Sequence, residues 1–408
     1  MNNKELGYFV TAVAAGIDNF ERKISQGKGI LDDEGLIPLY LGEKLIDART
    51  YQNWDEVEAD LQLFAREIDG LAQEPGIEAG PRKSILLSLL ASLKTAVGLF
   101  RGHAFSYEQK LEDLVGIPAE PIGKDFLAGL KQDLEERLGK RGFAKGSFRE
   151  KIQAWESSGH IAGEDLEATF KELMAIAKAR TDALIVPTGD YEMALAPIKG
   201  VHYTARCSFA KKKMELNVEN RFTRSAMKHL VTHEIFPGHA TQNIFTLESF
   251  KKGSSTADVL LCSLNGIPGV LQEGIGDQGL EMIDWIENMD DELTAILTRY
   301  RSAIATQGSW LINVEGLDEE KAAAYMREEG ALQEARVRGR LAMARHPYRA
   351  PFIASYFYGN EAVRRVRLAV GTHADKRAQF IKALYGSLHS PESLCQTMGV
   401  PYRSYGDL

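Results

Sequence analysis

Apolar residues recur at three- and four-residue spacing through most of this chain, the pattern of helices that bury one face. Val57–Leu71, Ser84–Phe100, Phe126–Leu138, Phe148–Trp155 and Leu166–Leu184 all carry it. Gly/Pro punctuation separates them, at Pro75-Gly76, Gly80-Pro81, Gly116-Ile117-Pro118 and Pro121-Ile122-Gly123. Ser84–Phe100 is the most apolar run. Lys94 and three serines inside it predict a buried core helix and not a membrane span. Residues 1–183 therefore read as a helical lobe.

The period changes between 184 and 222. Leu184–Pro187, Tyr191–Pro197, Val201–Phe209 and Met214–Val218 are short β-favouring runs with turn residues between them. They predict a small antiparallel sheet, with Lys211-Lys212-Lys213 at a solvated hairpin turn. Helical spacing then resumes in Gln242–Phe250, Gly279–Asn288 and Leu293–Val314. Further helices are expected from Asp318-Glu319-Glu320, over Lys376–Leu388, and from Pro391, a residue suited to a first helical turn. The expected fold is mainly α. It has a second lobe over 184–408, and the two lobes flank a cleft within one compact body.

The chemistry concentrates where sheet gives way to helix. Thr223 is a natural N-cap, and Met227, Leu230, Val231 and Glu234 follow at helical spacing. That helix runs into His233-Glu234-Ile235-Phe236-Pro237-Gly238-His239. Imidazole is a good zinc ligand, and a carboxylate beside the first ligand can take a proton from water. The familiar pattern puts the two histidines four residues apart on one helix face. Here the second comes six residues on, and at about 100° per residue a regular helix would hold them apart. Pro237 and Gly238 supply the break that this longer gap requires.

A zinc site with an open position needs a third protein ligand. Glu273, in Gln272-Glu273-Gly274-Ile275-Gly276-Asp277, fits that need from a separate helix. Asp277 follows on the same helical face and could accept the free N–H of a ligand histidine. Glycines at 274 and 276 weaken a helix, so their presence predicts a close approach by another backbone.

His233-Glu234, the two-residue extension, and Gly238-His239-Ala240 together resemble the gluzincin zinc peptidases, in particular the largely helical oligopeptidase and carboxypeptidase Taq types. Glu273-x-x-x-Asp277 is similar to the carboxylate pair that completes a thermolysin-type site. Closest in pattern is a bacterial family of unknown function whose core reads H-E-x-x-P-G-H-H, then E-G-W-A. This chain has Ala240 and Ile275 where that family has histidine and tryptophan. The resemblance spans roughly residues 200–395. It implies a zincin-like fold and an edge strand that binds extended substrate through main-chain hydrogen bonds.

A late aromatic stretch, His346-Pro347-Tyr348-Arg349-Ala350-Pro351-Phe352-Ile353-Ala354-Ser355-Tyr356-Phe357-Tyr358-Gly359, has a counterpart in that family. A phenol O–H can stabilise the oxyanion formed when an amide is attacked. Tyr356 and Tyr358 are the candidates, with His346 behind them. Arg349 is the candidate for a substrate carboxylate.

Composition narrows the partners. Hydrophobic residues make up 44% and charged residues 26%, ordinary for a globular protein, and the net charge of −8 gives no basic footprint for nucleic acid. The three cysteines, Cys207, Cys262 and Cys395, form no C-x-x-C and read as buried thiols in a reducing compartment. The expectation is a cytoplasmic zinc metallopeptidase acting on small peptides, with neither nucleic acid nor membrane as partner. His233, His239 and Glu273 hold one Zn²⁺, a donor set that also suits Co²⁺ or Mn²⁺. Glu234 is the general base. The rival readings are a metal-dependent hydrolase of a non-peptide amide or ester, and a helical binding protein with a degenerate site.

Overall fold

The computed structural model describes residues 1–31, 45–71, 79–201, 204–262, 266–403 and 405. The turn expected at Pro75-Gly76 lies outside them. The fold is mainly helical. Among the described residues seven α-helices come first: α1 (Asn3–Ser25), α2 (Trp54–Gly70), α3 (Ala79–Phe100), α4 (Tyr107–Gln109), α5 (Lys124–Lys140), α6 (Phe148–Ser158) and α7 (Leu166–Leu184). Strands β1 (Ala194–Ile198), β2 (Ala205–Ser208) and β3 (Lys213–Asn217) follow. Then come α8 (Arg224–Glu234), α9 (His239–Lys251), α10 (Ile267–Asp277), α11 (Gly279–Met282) and α12 (Met289–Asn313). The rest comprises α13 (Glu319–Glu329), α14 (Glu334–Arg345), α15 (Ile353–Val370), α16 (Ala374–Gly386) and α17 (Pro391–Thr397).

The sheet is mixed, which corrects the antiparallel expectation. Its order is β1-β3-β2, with β1 parallel and β2 antiparallel to β3. The reason is topological. The hairpin at Lys211–Lys213 turns the chain back from β2, and β3 then inserts beside β1, running in the same direction. Lys212 takes a left-handed φ of 51° at that turn, and all three lysines face solvent. Gly279–Asn288 is likewise shorter than its apolar pattern predicts. Helix α11 ends at Met282, and Asp284 adopts a φ of 50° as Trp285 turns into the core.

The chain forms two compact units, and neither is a continuous stretch. One comprises residues 1–119, 243–274 and 347–408; the other, 120–242 and 275–346. The division passes through α9 and α10, which both run unbroken across it. The boundary expected at 183/184 does not coincide with it. That point lies inside the second unit, because Phe170, Leu173 and Ala177 of α7 share a core with Met214, Leu216, Met227 and Val231.

In the first unit, Leu86, Leu89, Leu93 and Val97 of α3 are buried. By length and composition α3 could cross a membrane, and 56% of its most apolar window is covered by protein. Arg82 on α3 grips Asp258 through two hydrogen bonds of 2.7 and 2.9 Å. In the second unit, Leu134, Leu138, Ile152, Leu293, Tyr300, Met326 and Val337 join α5, α6, α12, α13 and α14 in one core. Lys228 reaches across from α8 to Asp291 at 2.6 Å, both side chains being 3% exposed. Its ammonium also sits 4.3 Å from the Trp285 ring centroid. Those contacts fix α8 on α12.

Candidate metal centre

Helix α8 starts where its sequence predicts. Thr223 caps it by accepting the Ala226 N–H at 3.1 Å. Met227 and Val231 are buried, and His233 and Glu234 on the last turn are half-buried. The helix then stops. Ile235 leaves helical geometry, the Phe236–Pro237 peptide is cis, and α9 starts at His239. Gly238 makes the reversal possible by space alone. A Cβ there would stand 1.7 Å from the His233 carbonyl oxygen. The Ile235 carbonyl accepts from both the backbone and the hydroxyl of Thr241, at 3.1 and 3.0 Å, which pins the first turn of α9. The break thus undoes the angular mismatch of the six-residue gap. The His233 and His239 rings stand 4.9 Å apart, nearly perpendicular at 88°.

Helix α10 brings the carboxylates. Glu273 offers a carboxylate oxygen, and His233 and His239 each offer a ring nitrogen, all within 4.8 Å of one another. Glu273 is 4% exposed. One turn on, Asp277 Oδ1 lies 3.0 Å from His233 Nδ1. Burial works against the Asp277 charge, but hydrogen bonds from His229 and His233 outweigh it and hold this carboxyl well below the usual range. With Nδ1 engaged, Nε2 is the His233 nitrogen left for a cation. The Gln242 side-chain Nε2 lies 3.4 Å from His239 Nδ1 and donates to that ring, whereas Asp277 accepts from His233.

The two glycines of α10 have separate tasks. Gly274 meets α15: a Cβ there would lie 2.2 Å from the Gly359 carbonyl oxygen, the backbone approach expected. At Gly276 the neighbour is a side chain instead. A Cβ would stand 2.7 Å from His233 Nδ1, so the missing side chain is what lets the imidazole lie against α10 between its two carboxylates.

Glu234 faces β2. Burial pushes the Cys207 thiol above its ordinary range, and the Glu234 charge and hydrogen bond push it further. Strand β2 is an edge strand among the described residues, paired only with β3. Cys262 is similarly raised to about 11, by burial and by the charge of Glu273.

The remaining candidates sit on other elements. Tyr356 and Tyr358 are on α15, which meets α10 at Gly359, and Tyr358 is buried beside Phe357 and Tyr405. Tyr356 stacks edge-on against Phe352 at 5.8 Å. His346 follows the last residue of α14, and Arg349 lies in the turn after it, half-buried. The structure adds one residue the sequence reading passed over. His229 Nε2 lies 3.6 Å from Asp277, and His229, His233 and Asp277 form a second cluster within 4.8 Å. Its signal was the four-residue spacing from His229 to His233, which puts both on one helix face.

No protein-family model matches this chain, and no curated protein does. Among solved structures, the chain is similar to "the putative lipoprotein from Colwellia psychrerythraea", with a TM-score of 0.58 and 14% identity over 83% of this chain and 66% of that one. It is also similar to "a putative lipoprotein of unknown function from Shewanella oneidensis", with a TM-score of 0.51 and 18% identity over 84% of this chain and 72% of that one. The chain therefore spans about two thirds of the length of the first. At these identities the likeness is one of fold. The cytoplasmic expectation does not stand: both proteins sharing the fold are described as putative lipoproteins, and the composition and free thiols that suggested the cytoplasm do not decide location.

Proposed function

We propose that this chain is a zinc-dependent hydrolase of peptide bonds, built like the helical gluzincins. The observation that carries this reading is the meeting of His233, His239 and Glu273, donors from three separate helices, within 4.8 Å. The donor set fits the metal: two imidazole nitrogens and one carboxylate, with the Asp277 carboxylate behind a ligand histidine. The second cluster, His229, His233 and Asp277, is the weaker candidate. A cation there would break the 3.0 Å His233–Asp277 contact and leave Glu273 buried without it.

Zinc held there would act as a Lewis acid toward a carbonyl and lower the pKa of water. The chain's own residues do the rest. Glu234 takes a proton on its carboxylate from the attacking water and returns it to the leaving amine. Asp277 accepts the Nδ1 hydrogen of His233 and fixes the tautomer. The outer edge of β2, beside Glu234, offers main-chain groups to an extended peptide. Tyr358 or Tyr356 would donate to the oxyanion. The two putative lipoproteins that share the fold favour an extracytoplasmic, membrane-attached setting for this chain, which cell fractionation would test.

The test is a pair of measurements on two proteins. The wild type should carry one zinc by elemental analysis and cleave short peptides. Glu234→Gln should keep the metal and lose at least about a hundredfold in kcat, the usual weight of a general base. Zinc-free wild type, or full activity in the variant, would end this reading. Cleavage of acyl esters but no peptides would favour the non-peptide hydrolase instead.

A further inference from the structure

A cavity of about 150 Å³ opens beside the first turns of α8, with its whole lining in the second unit. Three arginines line it, Arg221, Arg301 and Arg336, against one carboxylate, Glu156. Arg301 is committed. It pairs with Glu156 at 2.8 Å and donates to the carbonyls of Gly330 and Ala331 at 3.1 and 2.9 Å. Arg221 and Arg336 reach no carboxylate at ion-pair distance among the described residues. The cavity therefore carries two positive charges in excess, in a chain whose net charge is −8.

That placement is unfavourable in itself. Arg336 stands in the first turn of α14, the end of a helix that favours anions and not cations. Its side chain is accessible from the cavity, yet the walls strip water from the guanidinium. Burial first, then the Arg301 charge, lower its pKa to about 10 from an ordinary 12.5, against the pull of Glu156. His160 is likewise held below its ordinary value, by burial and by Arg221. Gln333, the N-cap of α14, also lines the cavity and makes no side-chain capping bond. An uncapped helix start and guanidinium groups without acids both suit an anion.

The donors narrow the class of anion. They come from three separate elements: Asn220 and Arg221 precede α8, Thr298 lies on α12, and Gln333 and Arg336 open α14. The side chains of Asn220 and Thr298 make no hydrogen bond among the described residues. A planar carboxylate is satisfied by one guanidinium fork. A phosphate group instead spreads three acceptor oxygens and carries about −1.5 to −2 charge at neutral pH. It matches both the spread of donors and the two spare charges. The volume agrees, being half of the about 300 Å³ at which pockets for drug-sized ligands begin. One compact group fills it.

We propose that this cavity binds a phosphate group, held between Arg221 and Arg336 and hydrogen-bonded by Asn220 and Thr298. Among the described residues, none of His233, Glu234, His239 and Glu273 lines it. It is a second ligand site, and it stands or falls without the hydrolase reading.

The experiment is calorimetric titration of the wild-type protein with inorganic phosphate, glycerol 3-phosphate and succinate, a dianion built of planar groups. The tighter phosphate should bind at least about tenfold more tightly than succinate. Arg221→Gln and Arg336→Gln, both changes at exposed positions, should each weaken it by at least about tenfold, and the double variant should abolish it. Phosphate bound as well by the double variant, as it would be by a cation at the candidate metal centre, overturns the proposal. Equal affinity for succinate overturns it too. The source is read from the same set. Preference for glycerol 3-phosphate assigns a soluble ester, and preference for inorganic phosphate assigns the free ion. Arginine-dependent sedimentation with vesicles of phosphatidylcholine and phosphatidic acid at about 4:1, and not with phosphatidylcholine alone, assigns a lipid headgroup. Each of these upholds the site. Phosphate should also raise the urea midpoint of the wild type and leave that of the double variant unmoved. An unmoved wild-type midpoint overturns the site even where a variant fails to fold.

Discussion

His233 Nδ1 and Asp277 Oδ1 stand 3.0 Å apart, a contact that ties the last turn of α8 to the last turn of α10. Asp277 is buried and stays ionised because two histidines hydrogen-bond to it. It thereby settles which His233 nitrogen remains for a cation. Asp277→Asn should weaken zinc binding by about 10–100-fold while leaving His233, His239 and Glu273 in place. Competition against a chromophoric chelator measures this directly. Unaltered affinity would remove Asp277 from the centre.

Gly238→Ala tests the break between the histidines. The added Cβ would fall 1.7 Å from the His233 carbonyl oxygen and 2.5 Å from that of Thr232, so the backbone itself must move. Overpacking of this kind costs about 1–3 kcal/mol or more. Urea unfolding should show the loss, and zinc stoichiometry should fall with it, since the gap no longer closes.

Gly276→Ala and Gly274→Ala separate the two glycine roles. The first places a methyl 2.7 Å from His233 Nδ1 and should mainly displace the ring, lowering metal affinity more than stability. The second drives a methyl against the Gly359 carbonyl at 2.2 Å and should mainly lower stability, by about 1–3 kcal/mol. Equal loss of both properties in both variants would show that the helix crossing and the ring position are not independent.

Acid should destabilise the protein from an unusually high pH. His389 is buried, and burial first, then Arg82, lowers its pKa to about 4 from an ordinary 6.5. The unfolded chain takes up this proton near 6.5 and the folded chain only near 4. Stability from His389 is therefore intact above 6.5 and drains away as pH falls toward 4, by on the order of 3 kcal/mol. Asp258 extends the loss. Burial opposes its charge, but Arg82 holds its carboxyl below the ordinary 3.8, so its contribution persists above 3.8 and fades below. Urea midpoints measured from pH 7 to 3 should fall throughout. His389→Asn should flatten only the upper part. A wild-type profile flat from 6.5 to 4 would contradict this.

Much of the fold was legible because helices declare themselves locally. The Thr223 cap, the apolar face of α8, the Asp318 cap of α13 and Pro391 at the start of α17 all depend on neighbours within a turn or two. The sheet was less legible. Local runs marked four candidate strands, of which Leu184–Pro187 begins at the last residue of α7 and forms none; the parallel pairing of β1 with β3 is a choice between edges of β3, and strand residues look the same either way. Trp285 shows the same limit. Its pattern continues a helix, and core burial turns the chain instead.

By itself the sequence determined which side chains could carry the chemistry. The His233-Glu234 pair, a forced break at Pro237-Gly238, and Glu273 with Asp277 one turn later are all local statements. Only the tertiary structure decided that they meet. Convergence depends on the direction the chain takes after Ile235, on the void at Gly276 that admits the His233 ring, and on the crossing of α10 and α15 at Gly274 and Gly359. It also decided that His229 belongs beside Asp277 and that Arg221, Arg301 and Arg336, scattered along the chain, line one cavity. Periodicity reports which face of a helix is apolar. Which distant helix packs against that face is set by shape and by long-range contact, and neither is written in any one stretch of sequence.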